Sequence, residues 1–458
     1  MEMTAEALVE TVERRTARVA VLGQGYIGLP LSLLLASSGY SVVGYDVNKS
    51  LVRRLERGDL PIEEKGLSDL LEEAGERYTP TGDPSALEES DVFIVAVPTP
   101  RSNGGADLSY VWSALREVAE RARPPFGVVV ESTLPPGAFR RMIDRSLGGA
   151  GLLGRDFLAA YCPERAMPGR LVRELVENPR VIGAYDGKSA RMAELLYRSF
   201  SKGDITITTP EVAEVVKLVE NTFRDVNIAL ANEVARICDA LGVSAREVIE
   251  IANKHPRVNL LIPGIGVGGS CLTKDPVFLA SSAEEAGYSP KVVESSRVLN
   301  EDMPFYALRI ILDSLSRTGN GRKRVAVLGV TYKGGVGDHR ESPVEPIVRG
   351  LLSRGVEVVV YDPRTEETFG GKRAESLEEA LNGADLVLIG ADHPEFKTRE
   401  FRRELSRLPR GTVVFDGKWA LDPREVEAMG LVYVSVGMIE RLNSVLSRES
   451  ERVQISSL

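Results

Sequence analysis

The stretch GVGGSCLTKDP, residues 266–276, sets a cysteine directly behind a glycine-rich run, with Lys274 and Asp275 three and four residues on. Glycines leave backbone uncovered and leave room for a ligand. A nearby lysine favours the thiolate, the nucleophilic form of the side chain. The chemistry open to Cys271 is then covalent: its thiolate adds to an aldehyde, a hydride leaves, and the thioester is hydrolysed. A lone cysteine is more often a small core residue, and spacing alone leaves both readings of Cys271 open. Cys162 and Cys238 are read as core residues. Three cysteines without a Cys-x-x-Cys pair, and three histidines without a Cys/His cluster, argue against a disulfide framework and a zinc site. They fit a reducing cytoplasm.

A hydride needs an acceptor, and the N-terminal region supplies a candidate. GQGYIG (Gly23, Gly25, Gly28, with Tyr26 and Ile27 between) follows the apolar run Arg18–Leu22 and opens an apolar helical pattern over Tyr26–Ser38. Asp46 ends the next strand-like run, Ser41–Tyr45. In that context the glycines allow a tight turn and close approach of a pyrophosphate, which the helix N-terminus favours. Asp46 would accept hydrogen bonds from ribose hydroxyls and repel a 2′-phosphate, which points to NAD rather than NADP.

Around these residues the chain reads as alternating strands and helices. Further strands are expected at Val92–Val97, Val128–Glu131 and Phe157–Tyr161, a doubly wound α/β pattern. From Pro210 to about Leu241 a helical period runs without Gly or Pro, long enough to link domains or form a subunit contact. Helical patterns continue to about Ser316, followed by the linker TGNGRKR, residues 318–324. Then Arg324-VAVLG repeats Arg18-VAVLG letter for letter, and Glu357-VVVYD echoes Ser41-VVGYD. The expected fold is α/β, with two Rossmann-like doubly wound domains joined by a central helical region with a long helix. The expected boundaries are 1–208, 209–320 and 321–458. The second half has GVTYKGG in place of the glycine fingerprint, so the two halves should hold different ligands. A length of 458 residues suits two or three domains, and a net charge of -9 argues against bulk nucleic-acid binding. No run approaches a membrane helix, and the first residues lack the pattern of a signal peptide. The tail SRESERVQISSL reads as polar and mobile.

Other motifs follow in order: VPTP (97–100), EST (131–133), CPERAMPG (162–169), Lys217-x-x-x-Asn221, PGIGVGGSCLTKDP (263–276) and GVTYKGGVGDHRESP (329–343). With GQGYIG, they make the chain resemble the UDP-glucose/GDP-mannose dehydrogenase family from about Arg18 to Leu442. That family oxidises the C6 alcohol of a nucleotide sugar to a carboxylate with two NAD.

The resemblance implies roles for individual residues. The nucleophile falls on Cys271 and its neighbouring aspartate on Asp275. Lys217 and Asn221, four apart, share a helical face and together hold the C6 oxygen, with Lys217 stabilising the oxyanion. Glu164 lies near the reacting carbon, Thr133 positions a water, and the base that activates water is Asp275 or Glu164. The cofactor contacts fall on Gly23, Gly25, Tyr26, Ile27, Gly28, Asp46, Thr99, Thr133 and Arg340. The substrate contacts fall on Glu164, Arg165, Lys217, Asn221, Arg257, Asn259, Gly268, Tyr332 and Lys333. Of these, Arg257 would be donated across a homodimer, and the second Rossmann-like half would serve a UDP-sugar. CPERAMPG and HPRVNLLIPG point to UDP-N-acetyl-D-mannosamine as substrate, whereas GGSC is nearer the form used for UDP-glucose. UDP-N-acetylglucosamine and UDP-glucose are the alternatives. A one-step alcohol dehydrogenase and a non-catalytic nucleotide-sugar sensor are alternatives of other classes.

Overall fold

The computed structural model describes residues 4–62, 64–102, 105–317 and 323–438. Residues 318–322 of the linker and the whole C-terminal tail lie outside these. The chain divides into two units, Met1–Glu220 with Val277–Tyr288 and Asn221–Pro276 with Ser289–Leu458.

The first unit carries β1 (Arg18–Leu22), β2 (Ser41–Tyr45), β3 (Tyr78–Thr81), β4 (Val92–Val95), β5 (Arg101–Ser102), β6 (Gly105–Ala106), β7 (Phe126–Val130), β8 (Phe157–Tyr161), β9 (Arg180–Ala184) and β10 (Ile205–Thr208). Eight of them form one sheet in the order β10-β9-β8-β7-β4-β1-β2-β3, while β5 and β6 pair as a separate antiparallel ribbon. Only β8 and β9 run antiparallel within the large sheet. Its central strands are apolar throughout because helices cover both faces. One face packs Leu8, Leu31, Leu35 and Leu196, and the other packs Phe93, Phe126 and Phe139.

Three local features depart from the sequence reading. The strand expected over Val92–Val97 stops at Val95, because the Val97 N–H turns to the Ser132 hydroxyl at 3.0 Å and Pro98 has no N–H to give. The helix after the glycine loop starts at Gly28, not Tyr26. Strand β3 (YTPT) escapes a hydrophobic-pattern search because it contains Pro80, which an edge strand tolerates.

The second unit carries β11 (Arg324–Leu328), β12 (Glu357–Tyr361), β13 (Lys372–Arg373), β14 (Leu386–Ile389), β15 (Val413–Asp416) and β16 (Val432–Val434). All run parallel in the order β13-β12-β11-β14-β15-β16. Its helical part includes Ala245–Ala252 and Lys291–Ser316, the latter with Pro304 inside it. A single 32-residue helix, Pro210–Leu241, runs from the first unit into the second. Two Rossmann-like sheets and a long central helix are therefore present, as expected. Among the described residues no helix is long and apolar enough to cross a membrane.

The internal repeat extends to individual hydrogen bonds. The Arg18 N–H donates to Asp91 Oδ2 at 2.7 Å, and the Arg324 N–H donates to Asp385 Oδ2 at 2.8 Å. Gly23, with φ +95°, donates to the Tyr45 carbonyl at 2.8 Å; Gly329, with φ +83°, donates to the Tyr361 carbonyl at 2.9 Å. Gln24 N donates to Asp46 Oδ2, and Val330 N to Asp362 Oδ2, each at 2.7 Å.

At the end of β7, Glu131 is buried in the first unit. Its Oε1 accepts from the Tyr197 hydroxyl at 2.7 Å and lies 3.7 Å from Arg180, whose guanidinium stacks over the Tyr197 ring. Burial pushes the Glu131 carboxyl up to about 7, against the Arg180 charge and the Tyr197 hydrogen bond. A folded-state pKa above the usual carboxylate value means that the folded chain binds the extra proton. The stability this adds is present at low pH and lost as pH rises through about 7. The Glu131→Gln variant should therefore lose less unfolding free energy than the parent between about pH 5 and about pH 8, the difference being at most on the order of 3 kcal/mol. Urea unfolding at the two pH values checks this; parallel losses would refute it.

Candidate active site

In the first unit the glycine loop meets the demands of close packing and of an open approach at different positions. A side chain at Gly23 would start 2.6 Å from the Ala96 carbonyl oxygen, and one at Gly28 1.8 Å from the Gly23 oxygen. At Gly25 nothing lies within 4 Å. Tyr26 and Ile27 pack half-buried against the core. The Gln24 side chain is buried beneath the loop, donating to the Val21 carbonyl at 3.0 Å and accepting from the Tyr78 hydroxyl at 2.8 Å. Asp46 accepts from Gln24 N through one oxygen and from Asn48 N, at 2.8 Å, through the other. No side chain caps the start of the helix Gly28–Ser37. An open glycine face, an uncapped helix start and a carboxylate held at the strand end fit the phosphates and ribose of NAD.

Three neighbouring segments are tied together beside this loop. Ser132 accepts from Val97 N and donates to the Val97 carbonyl at 2.7 Å, joining the EST and VPTP segments that carry half-buried Thr133 and buried Thr99. Glu164 N donates to the Glu131 carbonyl at 3.4 Å, and the Glu164 side chain accepts from Ala166 N at 2.5 Å. Arg165 pairs with Glu220 and the Pro179 carbonyl. Lys217 is buried on the long helix, one turn before Asn221.

In the second unit Cys271 is exposed, whereas Cys162 and Cys238 are buried. The Cys271 carbonyl accepts from Asp275 N at 3.0 Å, the turn that opens the helix Asp275–Glu285. Asn221 donates to the buried Asp275 carboxylate at 2.6 Å, and its own carbonyl accepts from Arg224 at 2.8 Å. Those two bonds fix which way the amide points. The cysteine loop rests on the 332–343 segment: Gly269 N donates to the Arg340 carbonyl at 3.2 Å, and a side chain at Gly268 would meet the Glu341 oxygen at 2.5 Å. Gly269, with φ +84°, lies so close to Tyr332 that a Cβ would sit 2.8 Å from its ring.

The structure thus brings together Asn221, Asp275 and the loop carrying Cys271, and sets Gly268, Tyr332 and Arg340 beside that loop. The Arg340 side chain forms a two-pronged pair with Asp338 at 2.8 and 2.6 Å. Burial raises the Asp338 carboxyl, yet the bonds from Arg340 leave it below its ordinary range. Lys333 is half-buried, and its carbonyl accepts from Thr331. Arg257 and Asn259 stand exposed on a loop closed at its neck by two hydrogen bonds between Asn253 and Leu260.

Comparison with known proteins gives the family. Models of the UDP-glucose/GDP-mannose dehydrogenase family match residues 17–201 as its NAD binding domain, 211–302 as its central domain and 326–423 as its UDP binding domain. The chain belongs to the UDP-glucose/GDP-mannose dehydrogenase family. It is 40% identical over 412 residues to a UDP-N-acetyl-D-mannosamine dehydrogenase of Methanococcus maripaludis, covering 88% of this chain and 93% of that one. The structure of a UDP-D-ManNAc dehydrogenase from Pyrococcus horikoshii superposes with a TM-score of 0.85 at 41% identity, covering 92% of this chain and 100% of that one. A UDP-glucose dehydrogenase from Pyrobaculum islandicum superposes with a TM-score of 0.81 at 31% identity, covering 92% and 98%. The protein is an NAD-dependent UDP-sugar dehydrogenase.

Within this dehydrogenase, a buried network that sequence reasoning missed holds the cysteine loop. Arg297 donates to Asp225 at 2.8 Å and to the Leu272 carbonyl at 3.4 Å, next to Cys271. Asn300 donates to the same Asp225 oxygen at 2.9 Å and accepts from Asn232, also at 2.9 Å. Asn232 in turn accepts from Gly264 N at 2.9 Å, at the other end of the loop. Burial raises the Asp225 carboxyl, against the Arg297 charge. Breaking such a pair costs about 3–5 kcal/mol, so the loop is firmly anchored at both ends. The signal was available, since Asp225 continues the four-residue spacing of Lys217 and Asn221. Lys418 was also missed: its ammonium donates to the Tyr332 carbonyl at 3.4 Å, and burial pushes its pKa down against the pull of Asp392 and Asp416.

With one exposed thiol and two buried ones, brief iodoacetamide treatment of the folded protein should label Cys271 alone. Peptide mass spectrometry checks this; labelling of Cys162 or Cys238 at a comparable rate would contradict the burial.

Proposed function

We propose that the chain oxidises the C6 alcohol of UDP-N-acetyl-D-mannosamine to the carboxylate, with Cys271 as the nucleophile. The observation that carries this reading is an exposed cysteine on a loop that is anchored at both ends by buried polar groups and runs into Asp275, whose carboxylate accepts from Asn221. Bound NAD supplies the hydride acceptor, held by Gly23, Gly25, Tyr26, Ile27, Gly28, Asp46, Thr99, Thr133 and Arg340. Lys217 and Asn221 hold the C6 oxygen as the alcohol passes its proton to a water and then gives up a hydride. The Cys271 thiolate adds to the aldehyde carbon, and the oxygen takes up charge that Lys217 stabilises. Loss of a second hydride, which a second NAD exchanged for the first NADH would accept, leaves a thioester on Cys271. A water positioned by Thr133 and deprotonated by Asp275 or Glu164 attacks that carbonyl, releasing the carboxylate and the thiol. Covalent attachment keeps the aldehyde from escaping between the two oxidations.

The UDP-sugar is held by Arg165, Asn259, Gly268, Tyr332 and Lys333, with Arg257 donated by the other subunit of a homodimer. Apolar Phe223, Leu230 and Ile237, exposed at seven-residue intervals on the long helix, support that dimer. Phe223→Glu should shift the particle mass in light scattering towards that of one chain; an unchanged mass would remove the helix from the interface. The division into 1–208, 209–320 and 321–458 follows the same three roles. A reducing compartment such as the cytoplasm fits three cysteines of which one is exposed and two are buried.

The choice of sugar rests on the relatives near 40% identity that are named for UDP-N-acetyl-D-mannosamine. A hydroxyl-to-acetamido difference is decided by a few pocket contacts, and the similarity to a UDP-glucose dehydrogenase keeps UDP-glucose, with UDP-N-acetylglucosamine, as the second reading. A panel of UDP- and GDP-sugars should give the highest kcat/KM with UDP-N-acetyl-D-mannosamine and two NADH per sugar. The Cys271→Ala variant should form no acid; two NADH per sugar from that variant would refute the covalent scheme. No NAD reduction with any sugar would favour a sensor.

A further inference from the structure

The repeated halves differ in one buried side chain whose role the reaction leaves unexplained. After β14, Gly390 N donates to the Leu328 carbonyl at 2.8 Å; after β4, Ala96 N donates to the Leu22 carbonyl at 2.9 Å. Positions 390 and 96 are thus equivalent, and counting on from them places His393 where the first half has Thr99. Asp362 likewise holds the place of Asp46.

The side chains of His393 and Asp362 are buried, with the imidazole Nε2 3.2 Å from Asp362 Oδ2. Gly335 N donates to His393 Nδ1 at 3.1 Å, so Nδ1 carries a lone pair and the ring proton sits on Nε2. Thr331 lies 3.1 Å from Nε2, but its only hydroxyl proton goes to the Lys333 carbonyl at 2.9 Å. The Nε2–H is therefore shared between two acceptors, Asp362 and Thr331. Gly334 N adds a bond to Asp392 at 3.1 Å. Every one of these bonds ends on the turn 331–335 or on the carboxylate beneath it.

We propose that His393 is the positioning residue of the UDP site. Its Nε2–H occupies the carboxylate that a Rossmann-like half would offer to a dinucleotide ribose, which closes the second half to NAD. Its Nδ1 holds the Gly335 N–H, which fixes the turn presenting Tyr332 and Lys333 to UDP. This rests on reading that turn as the UDP-sugar contact.

Isothermal titration with UDP, together with KM values for the UDP-sugar and for NAD, tests the assignment on the full chain. His393→Gln retains a donor towards Asp362 and loses the acceptor for Gly335 N. A buried N–H left unmet should weaken UDP binding and raise the UDP-sugar KM by about tenfold, with kcat within about twofold and the NAD KM unchanged. His393→Asn, whose amide oxygen can stand near the Nδ1 position, should recover most of the affinity. Thr331→Val, similar in volume, should weaken UDP binding by about threefold and serves if His393→Gln does not fold. Parental UDP affinity in folded His393→Gln or Thr331→Val would overturn the proposal, as would equal losses in kcat and NAD KM. Failure of the parent protein to bind UDP would instead overturn the reading of the turn itself.

Discussion

A carboxylate at the end of the second strand of each sheet governs how both halves of this dehydrogenase are organised. In each half it accepts the N–H of the residue after the glycine that turns the chain out of the first strand, at 2.7 Å in both cases. An N–H buried without a partner would cost about 1–3 kcal/mol, so the contact fixes the turn that any ligand must meet. In the first half Asp46 accepts only backbone N–H groups from Gln24 and Asn48 among these bonds, and its remaining lone pairs suit a ribose. In the second half a buried imidazole sits on Asp362 as well. Duplicated backbone geometry therefore supports two different binding surfaces, and the side chain three residues beyond the equivalent strand-end N–H separates them.

The cysteine loop is organised on a different principle. It is rich in glycine and would cost much conformational entropy to order on its own contacts. Order comes from buried polar groups on the two long helices, with Asn232 holding Gly264 and Arg297 holding Leu272. Because Arg297 and Asp225 are buried together, neither can leave without exposing the other to an apolar interior, and the loop inherits that rigidity. Cys271 itself remains exposed on this fixed frame.

The first unit has its own version of this arrangement. Glu131, Arg180 and Tyr197 form a buried polar group behind the segments that carry Thr133 and Glu164. Ser132 then links those segments to the loop that carries Thr99. Neither of the superposed relatives, named for different sugars, differs enough in fold to separate the substrates, with TM-scores of 0.85 and 0.81.

The amino-acid sequence by itself determined the fold class, the two repeated halves, the long helix and the glycine loop with Asp46, because these depend on local periodicity and on turns that only glycine can make. It also marked Cys271, Lys217 and Asn221, whose types and spacing limit the chemistry open to them. Strand ends and edge strands were less legible, since the Val97 N–H bonds a serine 35 residues away and Pro80 masks an edge strand. The tertiary structure alone decided which polar residues support the site. Asp225, Arg297, Asn232 and His393 are brought to their partners from 31 to 75 residues away, across helices and strands. Apart from the four-residue spacing that Asp225 shares with Lys217 and Asn221, their local sequence does not distinguish a buried partner from a solvated charge; only packing removes the water and makes each of those hydrogen bonds obligatory.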